Sequence, residues 1–574
     1  MVKNIEEEKK MINGGDVLIK CLLEEEVKYM FGIIGGQFLA MYDAVYRWGR
    51  EQGIETVMFR HEQAAAHAAD AWARVTNKPT VCFGTVGPGA TNLVPGVGAA
   101  WSDNIPVITI VPQVISKYDD VFTLQGNLDQ VSLFKPITKY QKSIRKINEI
   151  PDAVHKVFRE AITGRPRPTL LEIYEDAFIE EIEEKELPII SAEAYRAIGK
   201  PSMDNALIKK SLDLLLEAEK PLIISGGGVS RSEAWKELEE FAEYLQIPII
   251  TTFMGAGTIS NKSKCLLDTT INGFGKEVSY KADVVLALGC KFSYTMGHGE
   301  EPFFKNSQKS IQVDIDPSII GRNKPLTLGI VGDCKSFLKQ IIEEVKKSEK
   351  VNKRDWLDTL VEQRQNFIEK YLKKASKDKV PIQPPRMIKE VFEFMDEDAI
   401  LIIDGGDIAG FTMDQLNFHK PRKPLSTLWS ACMGHLGTSI PYAIGAKLAK
   451  PDKQVVTISG DGSFMMNIQD LETAVRLGLK NVIFVIGNNS AWGMLKSGQK
   501  LYSKKHYLDV DLPDFDFAKC AEAFGCYGEV ITDPNEIKPA LERAKNANKP
   551  AVIDIKIEFA TADATKLLGS MGVL

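Results

Sequence analysis

The stretch that most constrains this chain is Val455–Gly493, VVTISGDGSFMMNIQDLETAVRLGLKNVIFVIGNNSAWG. A β-branched run, Val455–Ser459, breaks at Gly460-Asp461-Gly462. A helical segment follows, with apolar residues at Leu471, Val475 and Leu479, and a second apolar run, Val482–Ile486, breaks at Gly487-Asn488-Asn489. Strand, turn, crossover helix and strand predict a right-handed connection between parallel strands. Both turns leave the carboxyl ends of their strands, where open α/β sheets bind ligands. Asp461 and Asn488 can converge there, each offering a hard oxygen to a divalent cation, while Gly460 and Gly462 let the backbone approach a phosphate.

A cation held by one carboxylate, one amide oxygen and a backbone carbonyl is undersaturated. Mg²⁺ takes about six oxygens at roughly 2.0–2.1 Å and is usually completed by water and substrate phosphates. The implied ligand is a diphosphate with Mg²⁺.

The rest of the chain repeats the same alternation. Helix Gly14–Glu26, strand Tyr29–Ile34 ending at Gly35-Gly36-Gln37, strand Glu55–Phe59, helix His61–Thr76, strand Pro79–Phe83, a Gly-rich turn Thr85–Thr91 and strand Pro106–Pro112 predict one parallel-sheet domain over 12–185. Helix Asp204–Ala218 opens a second, 200–345, with strands Pro221–Ser225, Pro248–Thr252, Val284–Gly289 and Ile311–Asp314. Lys335–Lys374, rich in Lys and Glu, reads as a helical, solvated linker. The third domain, 380–560, holds strand Ala399–Asp404, the turn Gly405-Gly406-Asp407, a loop around Ala431–Thr438, the opening stretch and strand Ala551–Lys556. Residues 561–574 read as a frayed tail or a flap over the site. The expected fold class is α/β, three doubly wound parallel-sheet domains.

With 574 residues, 44% hydrophobic and 26% charged, the composition is that of an ordinary soluble protein. A net charge of −6 and no basic stripe argue against a nucleic-acid partner. The charged start, MVKNIEEEKK, carries no signal or transit pattern, and no apolar run reaches membrane-spanning length. The eight cysteines are scattered without metal-ligand spacing, the closest pair, Cys520 and Cys526, falling on one helical segment. They read as reduced thiols of a cytoplasmic protein.

GDG followed by NN one crossover later resembles the cofactor motif of thiamin diphosphate (ThDP) enzymes. HEQAAAHAADAWAR with PTVCFGTVGPGATNLVPGVGAAWSDNIPVI resembles the pyrimidine-side domain of their acetohydroxyacid synthase-like branch, and the same domain order runs over nearly the whole chain. Read alone, Glu62 is a first-turn acid complementing its helix dipole. The resemblance implies instead that Glu62 is the carboxylate that activates the cofactor, a role worth about 10²–10⁴-fold. It also implies that Leu436 props the cofactor rings, that the Gly434 carbonyl meets the aminopyrimidine, and that Gly406, Asp407, Gly460, Gly462 and Ser463 lie about the diphosphate. Ser490 would add a backbone carbonyl to the metal ligands Asp461 and Asn488, with Trp492, Gly493 and Met494 lining the cofactor and substrate side. The implied assembly is an obligate homodimer, with a homotetramer expected, in which Glu62 and Asp461 meet across an interface.

Within that family two readings stay open. DDVFTLQGNLDQVSLFKPITKY and CKFSYTMGHG resemble benzaldehyde lyase, which implies that Gln125 is an active-site polar group. The histidine that lyase carries after its first strand is Gln37 here, which hydrogen-bonds but does not shuttle a proton near neutral pH. YDAV, PGATN and SAWGM resemble acetohydroxyacid synthase instead. Against that, the FAD-binding acidic and arginine run is absent, Lys291-Phe292-Ser293-Tyr294-Thr295 standing there, so no FAD or other nucleotide is expected in the middle domain. Thr123-Leu124-Gln125 also replaces the family's phenylalanine–glutamine–glutamate segment. The first reading is a C–C bond lyase/carboligase acting on 2-hydroxy ketones, 2-hydroxyacyl or 2-oxo acid substrates. The alternatives are an acetolactate synthase catalytic subunit, a 2-oxo acid decarboxylase or a C–C hydrolase. His298 is either a pocket residue or a turn histidine, and Gln113 either a pocket residue or a strand-end cap. His61 is read as packing at its helix start and His67 as core, while His435 could reach substrate.

Two rivals come from other classes. A dehydrogenase using Gly226-Gly227-Gly228 lacks the full G-x-G-x-x-G spacing and leaves Glu62 and GDG unexplained. A non-catalytic subunit has no physical need for Glu62, Asp461 and Asn488 together.

Overall fold

The computed structural model describes residues 10–347, 353–503 and 506–570. The β-branched runs form three six-stranded sheets whose strands all pair in parallel. The chain divides into two compact units, one running to Ile198 and including Ser430–His435, the other Gly199–Trp429 with Leu436 onward.

In the first unit the strand order is Glu55–Met58, Tyr29–Gly32, Thr80–Phe83, Val107–Gln113, Thr169–Tyr174, Gln141–Ile144. Counted within the sheet this is 2-1-3-4-6-5, so the winding reverses between Tyr29–Gly32 and Thr80–Phe83. Helix Gly14–Glu24 sinks Val17, Leu18, Cys21 and Leu22 into one core with Val154, Val157 and Phe158 of Ile150–Ile162. Helices Glu62–Thr76 and Pro88–Asp103 form a second packed pair. The expected Gly-rich turn Thr85–Thr91 holds as far as Gly87 and is corrected beyond it: Pro88 occupies the first turn of a helix that runs to Asp103, where its missing N–H costs nothing. Gly96 sits mid-helix because a Cβ there would meet the Ala66 Cβ at 2.5 Å.

The middle sheet runs Leu266–Thr269, Ile249–Thr251, Pro221–Ser225, Val284–Leu288, Lys309–Asp314, Leu328–Val331, the order 3-2-1-4-5-6. The glycines after Pro221–Ser225 meet backbone on the neighbouring strand's exit: a Cβ on Gly226 would lie 2.3 Å from the Gly289 oxygen, and one on Gly228 2.6 Å from the Gly289 Cα. The expectation of a solvated linker over Lys335–Lys374 is also corrected. Cys334–Val345 buries Phe337, Leu338, Ile341, Ile342 and Val345 in the middle core, and Arg354–Ala375 buries Leu357 and Leu360 in the same cluster. The apolar i, i+3, i+4 positions outweigh the charge between them.

The third sheet, Thr427–Leu428, Ile400–Asp404, Val455–Gly460, Val482–Asn488, Ala551–Lys556, Tyr527–Ile531, repeats the first sheet's order. Its winding reverses between Ile400–Asp404 and Val455–Gly460. The single crossover helix expected after Gly462 is three short pieces, Asp461–Met465, Ile468–Asp470 and Leu471–Arg476. The break falls at Asn467, whose amide leaves the helix path to donate to the Gly437 oxygen at 2.7 Å. Cys526 lies beyond helix Phe517–Ala523, which holds Cys520, and all eight cysteines are free thiols. Residues 563–570 of the tail are helical, and 571–574 lie outside the described residues. No described helix is long and apolar enough to cross a membrane.

Candidate active site

Candidate side chains fall into two sets, one in each unit.

In the second unit, parallel register aligns Gly460 with Gly487, so the residues that follow leave the sheet side by side. Asp461 opens a helix there, and its carboxylate accepts the Gly462 N–H at 2.9 Å and the Ala491 N–H at 3.2 Å. Burial pushes the carboxyl up to about 6, against the pull of those backbone donors. Asn488 meets the same turn. Its Nδ2 donates to Asp554 Oδ1 at 3.0 Å and to the Phe515 oxygen at 3.2 Å, which orients Oδ1 toward the Ser490 N–H at 3.2 Å. Ser490 is left-handed, φ 51°, and its carbonyl takes the Leu512 N–H at 2.8 Å, leaving a second lone pair. Among the described residues no group of three or more His, Cys, Asp or Glu side chains could hold a metal. A cation at Asp461 therefore depends on the amide, the backbone carbonyl, water and a phosphate. The donor set fits Mg²⁺ on that basis: Asp461 is a buried carboxylate that accepts backbone N–H groups, with the Asn488 amide oxygen and the Ser490 carbonyl on the same turn.

The glycines make the walls. A Cβ on Gly462 would strike the Trp492 ring at 2.6 Å, and one on Gly406 the Met494 Cβ at 2.6 Å. Gly405 takes φ 120°, and a Cβ there would lie 3.5 Å from the Ser463 Oγ. Gly493 comes near Asp407, whose Oδ2 would be 3.6 Å from a Cβ. The half-buried Leu436 is followed by Gly437 at φ 79°. Asp404 fixes this loop by accepting the Ser439 N–H at 2.9 Å, with burial raising its carboxyl to about 6. His298 is exposed on the middle domain with φ 54°, a turn conformation.

In the first unit, His61 caps its helix, Nδ1 accepting the Gln63 N–H at 3.2 Å. Glu62, 7% exposed, accepts the Asn92 amide on Oε2 at 3.0 Å. Gln37 accepts the Thr85 hydroxyl at 3.0 Å, joining the two turns at the sheet's reversal point. Gln125, φ 63°, lies against Gly87, where a Cβ would meet its carbonyl at 2.6 Å. The Gly87 N–H is held at 3.1 Å by Gln130, which shares Glu172 with Gln113. Gln113 also caps the Val114 N–H at 2.9 Å, the backbone-capping role. Ser430–His435 docks in this unit through the Cys432 N–H on Asp103, 3.0 Å, and Asp103 also pairs with Arg74. Gly434 is exposed there with φ 66°. The His67 and His435 rings stack edge to face at 4.6 Å, and burial drives His67 well below its ordinary value, keeping it neutral.

Asn92, Gln130, Asp404 and Asn467 went unread in the sequence. Asn92 bonds the candidate acid Glu62, while Gln130, Asp404 and Asn467 bond the backbone of Gly87, Ser439 and Gly437 in loops beside candidate residues. Only Asp404 carried a signal, an acid at the carboxyl end of a buried strand.

Comparison with known proteins matches three domains of thiamine pyrophosphate enzymes: the N-terminal TPP binding domain over residues 12–133, the central domain over 208–341 and the C-terminal TPP binding domain over 404–555. Among curated relatives, the chain is 37% identical to the probable acetolactate synthase large subunit of Methanocaldococcus jannaschii over 96% of its own length and 93% of the relative's. It is 33% identical to the acetolactate synthase large subunit of Corynebacterium glutamicum over 95% and 86% of the two lengths. It is 31% identical to the acetolactate synthase isozyme 3 large subunit of Escherichia coli over 96% and 95%.

Proposed function

The chain belongs to the thiamine pyrophosphate enzymes, and from that premise we propose that it is a ThDP- and Mg²⁺-dependent carboligase that joins 2-oxo acids, of the acetolactate synthase kind. The observation that carries this reading is the near full-length similarity to proteins named acetolactate synthase large subunit. It favours the second of the two readings open from the sequence, and the benzaldehyde lyase resemblance, confined to a few segments, gives way to it.

When bound, ThDP supplies a carbon nucleophile that takes an acyl unit from one carbonyl compound to another. The residues here do the rest. Asp461, Asn488 and the Ser490 carbonyl hold the cation, and the glycine turns admit the diphosphate. Glu62, with one oxygen held by Asn92, keeps the other to exchange a proton with the aminopyrimidine. Gln37 and Gln125 offer hydrogen bonds to a substrate oxygen without exchanging protons near neutral pH. A homodimer belongs to the proposal, as does work within a larger assembly, which the designation "large subunit" states of the relatives.

The test is product analysis with Mg²⁺ and ThDP, offering pyruvate, benzaldehyde and benzoin in parallel. Acetolactate from pyruvate is expected. Benzoin cleavage with no acetolactate would return the lyase reading to first place.

A further inference from the structure

The resemblance placed Asp407 beside the diphosphate, yet a carboxylate there would repel a diphosphate unless something else occupied it. The structure shows what does. Asp407 starts helix Asp407–Gln415 directly after Gly405-Gly406. Its Oδ1 accepts the Ala562 N–H at 3.1 Å and its Oδ2 the Ser497 hydroxyl at 3.0 Å. The Ser497 oxygen in turn lies 2.8 Å from the Thr561 hydroxyl. One carboxylate thus joins three segments distant in sequence: the turn after Ile400–Asp404, the helix Gly493–Tyr502 and the C-terminal segment.

Ser497 is the one residue of helix Gly493–Tyr502 that is buried. The rest of that helix is half-buried or exposed, so little apolar packing holds it. Its entry carries Trp492, whose ring covers Gly462, and its first turn carries Met494, which covers Gly406. The C-terminal helix Asp563–Ser570 packs on both Asp407–Gln415 and Gly493–Tyr502. A Cβ on Gly410 would meet the Cβ of Ala562, just before that helix, at 2.7 Å and that of Ala564, within it, at 3.5 Å. Burial raises the Asp407 carboxyl above the usual carboxylate range, as expected of an acid turned inward.

We propose that Asp407 is a positioning residue, the latch by which the seated C-terminal segment 561–570 holds helix Gly493–Tyr502, and with it Trp492 and Met494, over the glycine crevice. The consequence for ThDP binding rests on the function proposed above; the latch itself does not. Residues 561–570 then form a strap whose seating is read by one carboxylate.

The experiment compares the full chain with Asp407→Ala, Ser497→Ala, a chain ending at residue 560, and Asp407→Ala in that shortened chain. The first readout is amide hydrogen exchange of residues 493–502 without ligand; the second is calorimetric titration with ThDP in saturating Mg²⁺. Loss of hydrogen bonds to a charged acceptor corresponds to about ten- to a hundredfold, so Asp407→Ala and the truncation should each speed exchange by at least about tenfold. The combination should be no worse than either alone, since both break one latch. ThDP affinity should fall by a similar factor in both, and Ser497→Ala should follow in the same direction. Independent, multiplying effects would overturn the proposal. So would an Asp407→Ala chain that loses ThDP while the truncated chain keeps it, because Asp407 would then be a direct cofactor contact. If the unaltered chain takes up no ThDP, the functional reading fails and the exchange arm still decides the latch.

Discussion

At the scale of single residues, the two acids of the candidate site differ in what surrounds them. Glu62 sits at a helix N-terminus with an amide donor on one oxygen. Glutamine in its place keeps an oxygen for Asn92 and loses only the ability to exchange a proton. Glu62→Gln should therefore fold and bind ThDP like the parent while turnover falls by about 10²–10⁴-fold; a ThDP titration set beside steady-state rates checks both halves. Asp461 is the opposite case, a buried carboxylate whose proton affinity burial has already raised. Asp461→Ala removes a buried acid, so the chain without cofactor should melt no lower than the parent. What disappears is ligand stabilisation, roughly 2.7 kcal/mol at a hundred times the dissociation constant for the parent and near zero for the variant. Thermal melts with and without ThDP and Mg²⁺ separate the two effects. Asp461 and Asn488 stood out in the sequence as candidates because a turn after a buried strand has few reasons to hold polar groups beside glycines. Glu62, read alone, was a helix-dipole acid and became a candidate only through the family resemblance. Asn92 and Gln130 were not legible, because each reaches its partner across a fold that no local spacing encodes.

At the scale of elements, the parallel strands of the sheet centres could be read directly from apolar runs bounded by glycine. What misled was glycine itself. The stretch around Gly87–Gly89 carries turn residues, yet Pro88 begins a helix and Gly96 lies within it, because glycine there answers to packing. The strands Leu266–Thr269 and Leu328–Val331 were too short to stand out, and their pairing partners place them. The crossover after Gly462 broke its helix for Asn467, a side-chain bond that periodicity does not reveal. Gly96 tests the packing explanation. A methyl group there meets the Ala66 Cβ and backbone between two helices that pack on each other. Gly96→Ala raises helix propensity by about 1 kcal/mol but should still destabilise, because overpacking a close contact costs about 1–3 kcal/mol and backbone cannot move aside as a side chain can. Urea unfolding should give a lower midpoint. An unchanged or higher one would mean the two helices part without cost.

At the scale of the whole molecule, the second unit stores protons. Asp268 is fully buried and Asp414 nearly so, and burial raises them to about 7 and about 8. Asp414 is pushed further by Asp563 and Asp268 and opposed by Tyr371 and Lys566, while Arg364 draws Asp268 down. These groups come from the middle sheet, the long helix Arg364 shares with Tyr371, the helix that begins at Asp407, and the C-terminal helix. Their charge balance therefore belongs to the assembled unit rather than to any one element. An aspartate in the unfolded chain titrates near 3.9, so between that value and its folded pKa each of these acids holds a proton that unfolding releases. The sign follows: the contribution to stability is full below about pH 4 and is lost as pH rises through the folded pKa, at up to about 1.4 kcal/mol per pH unit for each proton. His67 and His419, which burial keeps neutral, pull the other way up to about the ordinary histidine value. Stability of the chain without ligand should thus decline between about pH 7 and 8, a direction opposite to that of salt-bridged surface carboxylates. Asp414→Asn keeps the shape and the bond from the Tyr371 hydroxyl and has nothing to ionise. In urea titrations across that range the variant should show a shallower decline than the parent and be the more stable of the two at pH 8. A variant with the parent's slope from about pH 7 to 8 would mean that Asp414 is already ionised within the fold and that Lys566 outweighs its burial.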